Sequence, residues 1–367
     1  MSTSSRLDRS REEELVLEVS RRAPRIPLLV GLDLGRALKI AEAHGVDGLL
    51  SRALASAGVD EVIRFRSLLL RDVNTKRLAE GVEVSEVLSR RGLRHAWIKG
   101  PLIAQEHYGD LGLRRFGDLD LLVAMRDLDA VEEVLRARGF TRSNEGDPAD
   151  VARVLERVSA SPCVIELHST MSRNAFACGL ETEELLSRVR LLETLGHRVP
   201  VPSKEDNFLL LAHHGAKHAF ERLIWIVDLD RVLASPGFEL PQMFAHARER
   251  GLLRIAELAV EVVAATLGRA EVAGSFRPDP ILRVVSARIA REIFSAGFER
   301  TARTQVVRSL VRDSVRDALS DARGFVVDVM RPGPRDTELV PSGFPRILAW
   351  GIRPIRLAAR EARRRTG

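Results

Sequence analysis

The sequence predicts an α+β protein in which a small unit of strands and helices sits between helical N-terminal and C-terminal additions. Three observations carry this. Apolar residues recur at helical spacing before residue 94 and again after residue 203. Between those segments, short apolar runs are cut off by Gly or Pro, as strands entering turns are. The 367 residues, 45% of them hydrophobic, suffice for a real core and match neither a disordered nor a membrane composition.

Residues 1–94 read as helical. Leu15, Leu17 and Val19, then Ile63, Leu68, Leu69, Val73 and Leu78, keep helical spacing. Breaks fall at Pro24–Pro27 and Gly45–Gly48. Asp60–Arg91 reads as one long helix with Gly92 as its C-cap. His95–Ile98 is a strand entering a turn at Lys99-Gly100-Pro101, and Pro101 suits the first turn of a following helix. Leu119–Val123 is a second strand. Asp127 can cap a helix over Leu128–Arg138 that Gly139 closes. Val164–His168 is a third strand, so residues 95–202 form the α+β core. Ser203-Lys-Glu-Asp206 resembles a capping box with Asp in place of Glu and opens helices that run to about Met330. Arg331-Pro-Gly-Pro-Arg335 is a break. Residues 331–367 are expected to be a basic tail packing on the core, with an amphipathic segment at Arg346–Arg365. The expected division is thus 1–94, 95–202, 203–330 and 331–367.

No apolar run is long enough to cross a bilayer. The opening MSTSSRLDRSREEE lacks the apolar stretch of a signal peptide, so a cytoplasmic protein with no membrane partner is expected. Cys163 and Cys178, the two cysteines, fit a reducing compartment and lack the pair spacing of a zinc site. The net charge of +6 comes from 57 basic and 51 acidic residues, the basic ones nearly all arginine. Arginine grips phosphate through a planar bidentate fork, so phosphorylated ligands are admitted. An excess this mild, with aromatics at 5%, argues against nucleic acid as a partner.

The informative segment is Trp97-Ile-Lys-Gly-Pro-Leu-Ile-Ala104, followed by Leu113-Arg-Arg-Phe-Gly-Asp-Leu-Asp-Leu-Leu-Val123. Residues two apart in a strand point to the same side, so Asp118 and Asp120 project together. Carboxylates held this way can share two Mg²⁺ ions, which prefer hard oxygen ligands and substrate phosphates. Such a pair of ions stabilises the attacking and leaving oxygens of an in-line displacement at phosphorus. A third carboxylate would complete the site or accept the nucleophile's proton. Glu166, in Cys163-Val-Ile-Glu-Leu-His168, is the candidate, and His168 shares its face. At Lys99-Gly100 a glycine permits close backbone approach, and the helix N-terminus beyond it offers free N–H groups to an anion. Lys99 adds positive charge. Arg114 can reach a phosphate bidentately or pair with the acidic residues.

Lys-Gly at a turn, then Arg, Gly-Asp-Leu-Asp-Leu-Leu-Val and Glu-Leu-His, resembles the nucleotidyltransferase superfamily of the DNA polymerase β type. The closest likeness is to its bacterial family of uncharacterised or putative nucleotidyltransferases. The likeness extends into Leu209-Leu-Leu-Ala-His-His-Gly-Ala-Lys-His218 and Leu223-Ile-Trp-Ile-Val-Asp-Leu229, and it covers residues 90–235 best. It implies a mixed sheet flanked by helices with the Asp-x-Asp strand central. It also implies Asp118, Asp120 and Glu166 as metal ligands and catalytic groups, Lys99 and Gly100 as the phosphate turn, and Arg114 on the nucleotide. The superfamily's usual turn is Gly-Ser or Gly-Gly-Ser; Lys99-Gly100 departs from it.

His213, His214, Lys217 and His218 fall on one helix, with His214 and His218 four apart on one face. Gly215 stands where a His-Glu-x-x-His metalloprotease carries its Glu, which argues against that enzyme class. His214 and His218 are expected either to line the cleft and touch the nucleotide or acceptor, or to pack against Trp225 and Asp228. The expected function is Mg²⁺-dependent transfer of a nucleotidyl group from a nucleoside triphosphate (NTP) to an acceptor that the sequence does not identify. The alternatives are an inactive nucleotide- or partner-binding module of the same fold, and RNA-directed transfer.

Overall fold

The computed structural model describes residues 9–58, 61–143, 152–157, 163–171, 179–269, 276, 279–295, 307–319, 323 and 350. The break at Arg331–Arg335, the basic segment Arg346–Arg365 apart from Trp350, and Cys178 lie outside them, as does most of the helical stretch expected between 296 and 330. The chain opens with α1 (Arg11–Val19), α2 (Leu34–His44), α3 (Asp47–Ser56) and the long α4 (Glu61–Arg90). Ser10 and Glu13 form a full capping box at α1, each side chain accepting from the other's backbone N–H. Of the expected break at Gly45–Gly48, only its start interrupts the helices. Gly45 ends α2 at φ +73°, where a side chain would be strained. Gly48 lies within α3 and packs so closely on another segment that a Cβ would fall 2.7 Å from the Leu113 carbonyl carbon and overlap the Gly112 carbonyl.

The core follows as β1 (His95–Ile98), α5 (Gly100–His107), β2 (Leu119–Val123), α6 (Leu128–Ala137), β3 (Thr141–Arg142), β4 (Ala152–Arg157) and β5 (Cys163–His168). Next come α7 (Thr182–Ser187) and a hairpin of β6 (Arg190–Thr194) and β7 (His197–Val201). The remaining helices are α8 (Lys204–Lys217), α9 (Leu223–Leu233), α10 (Leu240–Glu249), α11 (Leu253–Leu267) and α12 (Pro280–Arg291). Among the described residues, no helix is long and apolar enough to cross a membrane.

The sheet is mixed, with strand order β1-β2-β5-β4-β3. β2 pairs parallel with β5, and the other pairings are antiparallel. The Asp-x-Asp strand is therefore internal, and every residue of β1 and β2 is buried, as expected of strands covered on both faces. Alternation sorts the two faces. Trp97, Leu119, Leu121, Val123, Ile165 and Leu167 join α4 and α6 in one apolar cluster. Ala96, Ile98 and Leu122 face the other way, into a cluster built largely from α1, α2, α3, α8, α9 and α11. Asp120, two residues from Leu122, belongs to this second face, so the acidic site opens toward the helices.

Two caps differ from the sequence reading. Asp127 is the residue before α6, but its side chain makes no capping bond, because it ends a 3-10 turn over Met125–Asp127. Ser203 Oγ does accept from Asp206 N–H at 3.1 Å, yet the reciprocal half of the box is missing. Asp206, fully buried, pairs with Arg188 at 3.1 Å instead.

Alanine normally stabilises a helix relative to glycine, by about 0.5–1 kcal/mol. At Gly48 the sign should reverse, because the new methyl meets backbone that cannot step aside. Gly48→Ala is expected to destabilise the protein by roughly 1–3 kcal/mol, read as a lower urea midpoint.

Candidate active site

Strand register builds the site. Asp120 stands opposite Ile98 on β1 and Glu166 on β5, so the end of β1, the middle of β2 and β5 converge. Lys99 directly follows β1, and its ammonium donates to Asp120 Oδ1 at 2.7 Å. His168, two residues past Glu166, places Nε2 at 2.8 Å from the same oxygen and 3.4 Å from Glu166 Oε2. Asp120, Glu166 and His168 each offer one ligand atom, all within 4.8 Å of one another. Asp118 lies one residue before β2 and is half-buried.

The electrostatics follow from this crowding. Burial, Asp120 and Glu166 together push the Asp118 carboxyl above the usual range, against the pull of Lys99. Burial also disfavours charge on Asp120, but Lys99 and His168 outweigh it and hold that carboxyl well below its ordinary value. Burial opposes the charge on Lys99, and Asp120, Glu166 and Asp118 overcome it, raising the ammonium's pKa. Burial and Lys99 oppose protonation of His168, yet its bonds to Asp120 and Glu166 lift it above the normal imidazole value. The neighbouring carboxylates that raise the Asp118 carboxyl mark a place where a further cation is stabilised. Asp120 and Glu166 bring two hard oxygen donors within 4.8 Å of each other and of His168, so the residues fit a divalent cation such as Mg²⁺.

Lys99 adopts φ +56°, ψ −126°, a strained conformation for a residue with a Cβ, and stands as the N-cap of α5. Gly100 follows because nothing larger fits. A Cβ there would lie 2.9 Å from Phe116 Cβ and 3.2 Å from Arg114 Nη1. Pro101 sits in the first turn of α5, where its missing N–H costs nothing.

Arg114 is buried and is committed elsewhere than the acidic pair. Its Nη2 donates to Asp228 Oδ2 at 2.7 Å and its Nε contacts both Asp228 oxygens at 3.3 Å. Tyr108 donates to Asp228 Oδ1 at 2.7 Å. Asp228 is fully buried, so this three-residue knot ties α9 to the loop before β2. Arg114 Nη1 is the edge left beside Gly100, bonded there to the Arg115 carbonyl at 3.3 Å. Neither the Tyr108–Asp228 bond nor the Arg114–Asp228 pair is readable from the sequence, because 114 to 120 residues separate the partners.

His214 and His218 come together with Trp225. The two imidazoles are 5.0 Å apart, and they lie 4.9 Å and 5.4 Å from the indole. Burial pushes both imidazoles down, His218 to about 4, and Lys99 is among the charges that depress each of them. Trp225 lies one helical turn before Asp228, the residue that holds Arg114 beside Gly100. Gly215 is explained by packing: a Cβ there would overlap the ring of Phe220, whose N–H returns to the Gly215 carbonyl at 2.7 Å. Arg222, absent from the sequence reading, lies over the Trp225 ring at 6.0 Å. Its position three residues before Trp225 was the available signal.

Asp228→Ala strands a buried guanidinium and a buried hydroxyl, so it is expected to cost about 3–5 kcal/mol, measured by urea unfolding. The depressed histidines set a pH response. The unfolded chain takes up the His218 proton near 6.5 and the folded chain only near 4, so this stability is whole above 6.5 and falls as pH drops through that window. In His218→Gln, the decline of the urea midpoint over the same window should be shallower.

A family model described as uncharacterised nucleotidyltransferase matches residues 31–268, a span that contains every site residue above. No curated protein matches the chain. Among solved structures, an antigenic nucleotidyltransferase-like protein from Paracoccidioides brasiliensis aligns at 14% identity and a TM-score of 0.36, covering 56% of this chain and 96% of that one. The solution structure of the antibiotic-resistance factor ANT(2'')-Ia aligns at 14% identity and a TM-score of 0.30, covering 59% and 95%. The family match, spanning most of the chain, shows that this protein belongs to the uncharacterised nucleotidyltransferase family.

Proposed function

We propose that the protein transfers a nucleotidyl group from an NTP to an oxygen or nitrogen nucleophile of an acceptor. The observation that carries this is the convergence of Asp120, Glu166 and His168 on Lys99, with Asp118 one residue before β2, in a chain of a nucleotidyltransferase family. In the balanced reaction, the acceptor atom bonds to the α-phosphorus. The bond from that phosphorus to the bridging oxygen breaks, pyrophosphate leaves, and the acceptor's proton passes to a base. The site belongs, on this proposal, to the polymerase β type.

Asp118, Asp120 and Glu166 would hold Mg²⁺, up to two ions. When bound, the metal supplies charge stabilisation for phosphoryl oxygens. The chain's own residues do the rest. Gly100 lets the backbone come close to phosphate, and the first-turn N–H groups of α5 lack intrahelical acceptors and point at the anion. Lys99 and the Nη1 edge of Arg114 add positive charge at that turn. Glu166, whose side chain is 30% exposed against 5% for Asp120, is the candidate base. His168 orients Asp120 and Glu166 through its bonds to both.

One observation favours a second reading, an inactive nucleotide-binding module: the Lys99 ammonium already neutralises Asp120 at 2.7 Å. Calorimetry of ATP, GTP, CTP and UTP with and without Mg²⁺, followed by transfer assays, separates the two. Metal-dependent binding of an NTP is expected, and Asp118→Asn and Asp120→Asn should reduce transfer at least ~100-fold while leaving the unfolding midpoint near that of wild type. Binding without turnover across acceptors would favour the module. Retained transfer in either Asn variant would sink the proposed site.

A further inference from the structure

Along α8 and α9 lies a group of rings that the phosphate chemistry does not use. His214, His218 and Trp225 have centroids within 5.4 Å of one another, and none of the three is fully buried. Aromatic residues make up 5% of the chain, with three tryptophans. Trp97 is spent in the core, whereas Trp225 is only partly buried at the edge of the helical cluster. Buried hydrophobic packing does not require this, since α9 already buries Leu223, Ile224, Ile226, Val227 and Leu229.

Arg222 is a second and independent observation. Its guanidinium lies 6.0 Å over Trp225, and its buried Nε has no hydrogen-bond partner among the described residues. A buried donor left unmet costs free energy unless a ligand or water meets it. Trp225 and Asp228 stand one turn apart on α9, and Asp228 holds Arg114 beside Gly100. The rings and Arg222 are thus joined to the phosphate turn through α9.

We propose that Trp225, His214, His218 and Arg222 form the subsite that receives the nucleobase of the NTP. This rests on the nucleotidyltransferase reading. A base offers a π-face to Trp225 and the imidazoles, and ring acceptor atoms to the Arg222 N–H groups. The imidazoles, held neutral by burial, suit an uncharged ring. Stacking is tolerant of base identity, so the subsite discriminates nucleotides from bare polyphosphate more strongly than one base from another.

The test compares each of the four NTPs with inorganic tripolyphosphate, by calorimetry in Mg²⁺, on wild type, Trp225→Ala and Trp225→Phe. The expected result is that Trp225→Ala weakens the best-bound NTP roughly tenfold or more and leaves tripolyphosphate within about twofold, with Trp225→Phe recovering most of the loss. An equal loss for NTP and tripolyphosphate would mean general damage to the site and overturn the assignment. Unchanged NTP binding in Trp225→Ala would also overturn it and leave the rings to the acceptor. Wild type that binds tripolyphosphate as tightly as any NTP would overturn the base subsite alone, whereas wild type that binds neither would remove the nucleotidyltransferase reading beneath it.

Discussion

Crowding of like charge on the inner strands is the constraint that organises this molecule. Parallel pairing of β2 with β5 sets Asp120 beside Glu166, and Asp118 follows from the period of the strand. A buried cluster of carboxylates is costly unless cations or hydrogen-bond donors meet it. Lys99 and His168 both meet Asp120 on a single oxygen. That arrangement needs Lys99 at the end of β1 and His168 two residues beyond Glu166. The antiparallel pairing of β1 with β2 and the alternation along β5 supply both positions.

The second consequence is that the phosphate turn cannot be separated from the helical half of the protein. Gly100 is pressed against Phe116 and Arg114, Arg114 is held by Asp228 on α9, and Asp228 also takes the Tyr108 hydroxyl at the end of α5. A disturbance of α9 thus reaches the turn through one guanidinium. Because Asp228 is fully buried and Arg114 nearly so, the pair is a matter of geometry more than of net stabilisation. Replacing both by apolar groups need not unfold the chain, but it would release the loop that carries Asp118.

What the sequence made legible was the chemistry-bearing local pattern. β1 falls on His95–Ile98 and β2 on Leu119–Val123, as the sequence predicts, since a short, mostly apolar run bounded by a turn leaves little choice. β5 begins one residue earlier than read, at Cys163. Asp120, Glu166, Lys99 and His168, named from strand spacing together with the family resemblance, lie side by side. Strands β3, β4, β6 and β7 were not legible, because Thr-Arg, Ala-Arg-Val-Leu-Glu-Arg, Arg-Leu-Leu-Glu-Thr and His-Arg-Val-Pro-Val mix charge with apolar residues on half-exposed strands. Arg114's partner was equally hidden. A phosphate-reaching arginine and a buried one look alike until the fold brings Asp228 to it.

Strain is distributed in the same pattern. Among the described residues, four non-glycine residues have positive φ: Lys99, Leu195, Ala219 and Phe220. Leu195 belongs with Gly196 in the tight turn between β6 and β7 and is explained locally. The other three adjoin named residues of the site. Lys99 carries the ammonium to Asp120, and the Ala219–Phe220 pair follows His218 and folds the chain back so that Phe220 seats on Gly215. Left-handed conformations of this kind cost on the order of 1–3 kcal/mol each and persist where their surroundings over-determine them. Here the surroundings are a ring seated on a glycine at one side and an ion pair buried at the other. Both fix the relative placement of the acidic site and the ring cluster, which a ligand reaching across the two would require.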